Sequence, residues 1–150
     1  QRSFIDHIKV ASQVGKPLII HTRNAREDTI ALYKAHKNEQ TSGVLHCFTE
    51  SMEMAQQALD LGLYISLSGI VTFKSAKELQ EVAKMIPIDR LLIETDSPWL
   101  APVPYRGKPN QPGYVVEVGE FIANLRGISV EALAKHTTEN FYRLFNTVKR

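Results

Sequence analysis

The sequence predicts an α/β fold with a parallel sheet, and three observations predict it. Three short apolar runs each end in a side chain able to bind a metal: Pro17-Leu18-Ile19-Ile20-His21, Gly43-Val44-Leu45-His46-Cys47-Phe48 and Leu91-Leu92-Ile93-Glu94-Thr95-Asp96. Each run has the length and composition of a strand buried on both faces, which is the habit of parallel strands. The segments between the runs have helical period, so the chain reads as successive βα units. Such sheets carry their chemistry at the carboxyl ends of the strands, where His21, His46 and Asp96 stand.

Residues 4–14 place Phe4, Ile5, Ile8, Ala11 and Val14 at helical spacing, and Gly15 is positioned as a left-handed cap. After the first ligand strand, Asn24 with Glu27 three residues on predicts a helix start, and the helix runs to about His36. Residues 37–42 form a polar loop. Ser51 is placed to cap a helix carrying Met52, Ala55 and Leu59 that stops at Gly62. In residues 63–69, a further strand, Tyr64, Ser66 and Ser68 share one face and Leu63, Ile65 and Leu67 the other.

Ser75 and Glu78 have the spacing of a capping box, and Pro87 ends the helix they open. The next strand is expected to run far enough to put Glu94 and Asp96 on one side. Beyond it lie five of the seven prolines, Pro98, Pro102, Pro104, Pro109 and Pro112, which makes residues 97–113 a stiff loop beside the Asp96 strand. Helices are predicted over 114–126, 129–136 and 138–145.

Composition bounds the rest. With 150 residues, 43% hydrophobic and 23% charged, the chain is that of one globular domain. A formal charge of +2 neither requires nor forbids a nucleic-acid partner. The single cysteine, Cys47, excludes an internal disulfide framework. It follows His46, so it is expected on the opposite face as a buried thiol. No apolar run reaches the roughly 18 to 20 residues of a membrane span and no signal-peptide layout opens the chain, so a cytoplasmic location is expected.

Two imidazoles and a carboxylate from three strands suit a divalent ion, and such ligands accommodate zinc, manganese or magnesium, one ion or two. His21, His46 and Asp96 are the expected ligands. Asp96 either binds the metal or takes a proton from an attacking water. Glu94 is expected to orient a ligand from behind, or to be a buried structural ion-pair partner. Arg23 would lie on the His21 side if the strand continued, and its planar fork fits a phosphate. Arg106 and Lys108 on the proline-rich loop are candidate phosphate contacts or ordinary solvated charges, and Trp99 or Tyr105 is a candidate stacking platform for an unpaired base, with Trp99 as a packing residue the competing reading.

These residues resemble the TatD family of metal-dependent deoxyribonucleases. The likeness rests on Ile20-His21-Thr22-Arg23, Leu45-His46-Cys47-Phe48-Thr49, Glu94-Thr95-Asp96-Ser97-Pro98-Trp99-Leu100-Ala101-Pro102, Arg106-Gly107-Lys108-Pro109-Asn110 and Thr138-Glu139-Asn140-Phe141. The resemblance implies a TIM-type (β/α)₈ barrel of the amidohydrolase-like kind with a divalent-metal site at its carboxyl face. It also implies phosphodiester hydrolysis in DNA, typically from a 3′ end, with DNA that is single-stranded or offers a 3′ end as the partner and His21, His46 and Asp96 at the metal.

Family members also carry a His-x-His pair on the first strand and a glutamate on a middle strand, and neither motif occurs here. Four strands are half a barrel, and 150 residues fall short of the roughly 250 typical of one. Residues 1–150 are therefore expected to be the carboxyl-terminal part of one barrel domain, about its last four βα units, which needs the amino-terminal half for activity. The competing readings are a small-molecule metallo-amidohydrolase of the same barrel type and a non-catalytic truncated fragment.

Overall fold

Runs of β-branched and leucine residues too short for a helix pair side by side only when helices return the chain to the same end of the sheet, and this chain does so three times. The computed structural model describes residues 1–149. The order is α1 (Arg2–Val14), β1 (Leu18–Ile20), α2 (Arg26–His36), β2 (Gly43–Leu45), α3 (Met52–Asp60), β3 (Tyr64–Leu67), α4 (Lys77–Met85), β4 (Leu91–Ile93), α5 (Val115–Arg126) and α6 (Val130–Leu144). The four strands form one sheet in the order β1-β2-β3-β4, all parallel. This is an α/β fold that covers part of a (β/α)₈ barrel. No described helix is long and apolar enough to cross a membrane.

Register assigns the two faces. Ile19 pairs with Val44, Val44 with Tyr64, and Ser66 with Leu92, so these residues look to one side. Val44, Tyr64 and Leu92 are buried there beneath Leu144 and Phe145 at the end of α6, whereas Ile19 is 65% exposed. The other face presents Ile20, Leu45, Ile65, Leu67 and Leu91 to the helices in the main core. Tyr64 thus sits opposite Leu63, Ile65 and Leu67, as the alternation predicted. Two residues beyond Ile19, Val44 and Leu92 on the first face come His21, His46 and Glu94.

Gly15 closes α1 with φ 63°, and Ser51 caps α3 by accepting a bond from the Met54 N–H. Two predicted caps fail. Asn24 takes φ 54°, outside the extended conformation of a capping residue, and α2 starts two residues later. Ser75 makes no cap for α4, and Glu78 instead accepts a bond from the Met52 N–H at 3.1 Å, stabilising the start of α3.

The predicted break near residue 137 is also absent. Thr137 is buried within α6 and its hydroxyl donates to the Leu133 carbonyl at 3.0 Å, which satisfies it without ending the helix. Buried Asn140 ties α6 to the sheet. Its amide donates to the Ile88 and Leu91 carbonyls at 2.8 Å each, and its oxygen accepts from Arg143 at 3.0 Å.

Candidate metal centre

All the candidate ligands lie just past the carboxyl ends of strands, where the backbone is free to turn. His21 directly follows β1 and His46 directly follows β2, and the His46 N–H is still paired to the Ile20 carbonyl at 3.0 Å. β4 ends at Ile93, earlier than expected, so strand alternation does not place Asp96. Glu94 continues the ladder through its N–H to the Leu67 carbonyl, and Asp96 then takes φ 58°. Cys47 has φ 46°. Left-handed backbone at residues other than glycine is uncommon and concentrates at functional sites, and here it turns both loops beside the ligands.

Glu94 joins the two loops. Its Oε1 lies 2.7 Å from Nδ1 of His46, and its Oε2 accepts the Cys47 N–H at 3.1 Å. A carboxylate oxygen accepts, so the imidazole donates through Nδ1–H and keeps the Nε2 lone pair for another partner. That Nε2 is 3.3 Å from Nδ1 of His21, and the two rings lie 5.4 Å apart. His46, Glu94 and Asp96 each offer a ligand atom, and the three atoms fall within 4.8 Å of one another.

Nitrogen and carboxylate oxygen donors that close together fit a divalent ion, whose ligands stand about 2.0 to 2.2 Å from it. Of the three predicted ligands, His46 and Asp96 are thus brought together. His21 borders the group through His46, and Glu94, expected to orient a ligand or to be a structural ion-pair partner, is inside it.

Cys47 is not on the opposite face. The left-handed turn brings its half-buried thiol 3.3 Å from the Ser68 hydroxyl and beside Asp96. Burial pushes that thiol up to about 11, with a smaller contribution from the Asp96 and Glu94 carboxylates working against the Ser68 bond. It is protonated at neutral pH. Strand continuation does not carry Arg23 either: β1 ends at Ile20, and Arg23 is exposed in the following loop. Arg106 lays its guanidinium over the Phe73 ring at 4.2 Å, and Lys108 is exposed.

Sequence reasoning missed Glu50. This buried carboxylate pairs with Arg26 and accepts the Thr22 hydroxyl at 3.1 Å, holding the β1 loop against the β2 loop. Nothing in the local pattern marks it, because its burial depends on residues about 24 and 28 positions away.

The proline-rich loop is pinned from two sides. Buried Asn110 donates from its amide to the Thr95 carbonyl at 2.7 Å and the Trp99 carbonyl at 2.6 Å. On the other side the loop lies directly on Gly69, where a Cβ would stand 2.0 Å from the Leu100 oxygen. Only glycine permits that approach.

Residues 1–146 match the family described as TatD related DNase. The chain belongs to that family. This TatD-family chain is 56% identical over 146 residues to a protein of Escherichia coli named an uncharacterized metal-dependent hydrolase, YcfH, covering 97% of this chain and 55% of that one. It is 36% identical over 149 residues to the 3′-5′ ssDNA/RNA exonuclease TatD of Erwinia tasmaniensis, covering 96% of this chain and 58% of the relative. Among solved structures it is similar to YJJV, a TatD homolog from Escherichia coli, with a TM-score of 0.88 and 29% identity over 95% of this chain and 55% of that one. The TatD-family chain thus spans about half the length of the curated relatives it matches.

Proposed function

We propose that this chain contributes the metal-binding strand ends of a metal-dependent phosphodiesterase that shortens single-stranded DNA from a 3′ end. The observation that carries the reading is the convergence of His46, Glu94 and Asp96 at the carboxyl edge of a parallel sheet, with His21 against His46. What supports the DNA substrate is the name of the Erwinia tasmaniensis relative, together with exposed cations at the same edge. A divalent ion held there supplies an activated water and charge relief on phosphate oxygens.

The chain's own groups do the rest. His46 holds its ring orientation through Glu94. Asp96 either binds the ion or accepts the proton of the attacking water. Arg23, Arg106 and Lys108 meet the phosphates, with the guanidinium forks suited to two oxygens at once.

The test is an end-labelled single-stranded oligonucleotide incubated with the intact protein and magnesium, manganese or zinc in turn. Stepwise shortening from the 3′ end, abolished by chelator and weakened steeply by salt, is expected. Cleavage that ignores chelator, or an absence of DNA cleavage alongside amide or ester hydrolysis of small molecules, would overturn the reading.

A further inference from the structure

We propose that Trp99, Phe73, Arg106 and Lys108 form a binding subsite for one unpaired nucleotide of the strand whose end enters the candidate metal centre. The inference rests on the phosphodiesterase reading above and adds to it where the strand lies. Trp99 is 71% exposed, although its backbone is held firmly. Its N–H donates to the Asp96 carbonyl at 3.0 Å, and its own carbonyl accepts the buried Asn110 amide at 2.6 Å. The indole is therefore a presented side chain on a rigid base, one turn of backbone from Asp96.

Around it is an apolar cavity of about 600 Å³ floored by Phe73, Leu100 and Ala101 and rimmed by Arg106 and Lys108. That volume lies within the range of small-ligand sites. No carboxylate lines it, and among the described residues neither Arg106 nor Lys108 forms a salt bridge. An apolar floor with an unpaired cationic rim matches a molecule that is flat and apolar on one part and anionic on another, as a nucleotide is.

Arg106 is already ordered over the Phe73 ring at 4.2 Å, which leaves the edge of its fork for a phosphate. Tyr105, the other candidate platform, is stacked on Tyr114 at 4.0 Å with the rings 7° from parallel, so that face is taken. Trp99 is the platform that stays open.

Trp99 is the single tryptophan of these 150 residues, so its emission reports on the subsite directly. The experiment titrates the intact protein with a short oligo(dT) in chelator, with the Trp99→Phe variant subtracting any other emission. Quenching is expected, and Arg106→Ala or Lys108→Ala should each weaken it and lower the salt slope by about one. In turnover on the same oligonucleotide with metal, Trp99→Ala should raise KM about ten- to a hundredfold, the loss lying in KM more than in kcat.

DNA cleavage with unchanged emission and unchanged KM would overturn the subsite and leave the hydrolase reading standing. Quenching without cleavage under any metal would keep the subsite and remove that reading. Neither quenching nor cleavage would overturn both.

Discussion

The Glu94 carboxylate binds the His46 ring through Oε1 at 2.7 Å and the Cys47 N–H through Oε2 at 3.1 Å, so one side chain orients an imidazole and the loop that follows it. Partners of this kind commonly change metal affinity by about ten- to a hundredfold when they are removed. Glu94→Gln keeps the size of the side chain but loses the charge that draws the Nδ1 proton. Calorimetric titration of the variant with manganese or zinc should show at least about tenfold weaker binding at an unchanged melting temperature. Unaltered affinity would take Glu94 out of the site.

Asp96 stands in a turn with φ 58° and belongs to no strand, and Asn adopts that left-handed backbone as readily as Asp does. Asp96→Asn in the intact protein should lower kcat on single-stranded DNA by roughly a hundredfold or more, the size expected when a positioned acid or base is lost. Circular dichroism should be unchanged. Near-normal turnover would remove Asp96 from the chemistry.

Gly69 is where β3's following turn meets the proline-rich loop. A Cβ there would sit 2.0 Å from the Leu100 oxygen and 2.9 Å from the Pro102 nitrogen, both backbone atoms that no rotamer change can move. Gly69→Ala should therefore cost about 1 to 3 kcal/mol in urea unfolding, as overpacking does, and should shift the Trp99 emission maximum. An unmoved midpoint and an unmoved maximum together would refute the contact.

Tyr33 is 1% exposed, and burial pushes its phenol from the ordinary 10.0 up to about 12. The folded state thus favours the protonated ring more than the unfolded chain does. Its contribution is fully present below pH 10 and is lost as pH rises from 10 through about 12. That rise amounts to about 2 to 3 kcal/mol. Denaturant unfolding between pH 9 and 12 should fall less steeply for Tyr33→Phe than for the parent protein, and identical slopes would exclude the effect.

What the amino-acid sequence determined by itself is the set of features that depend on near neighbours. Apolar runs such as 17–20 and 43–45 are too short for helices and too apolar for loops, so they become strands, and the residues that follow them, His21 and His46, reach the carboxyl edge. Gly15 and Ser51 act as caps because capping is a contact within four residues.

Tertiary structure decided what depends on distant partners. Glu94 meets His46 across 48 positions, Glu50 meets Thr22 across 28, and Glu78 leaves its own helix to satisfy the start of α3. Asp96 and Cys47 reach the centre through left-handed turns that no period-2 pattern encodes. Thr137 stays helical because packing buries it and a carbonyl one turn back accepts its hydroxyl. Local periodicity fixes which residues face a sheet edge. Which of them share hydrogen bonds there is set by the register of strands that meet only once the chain has folded.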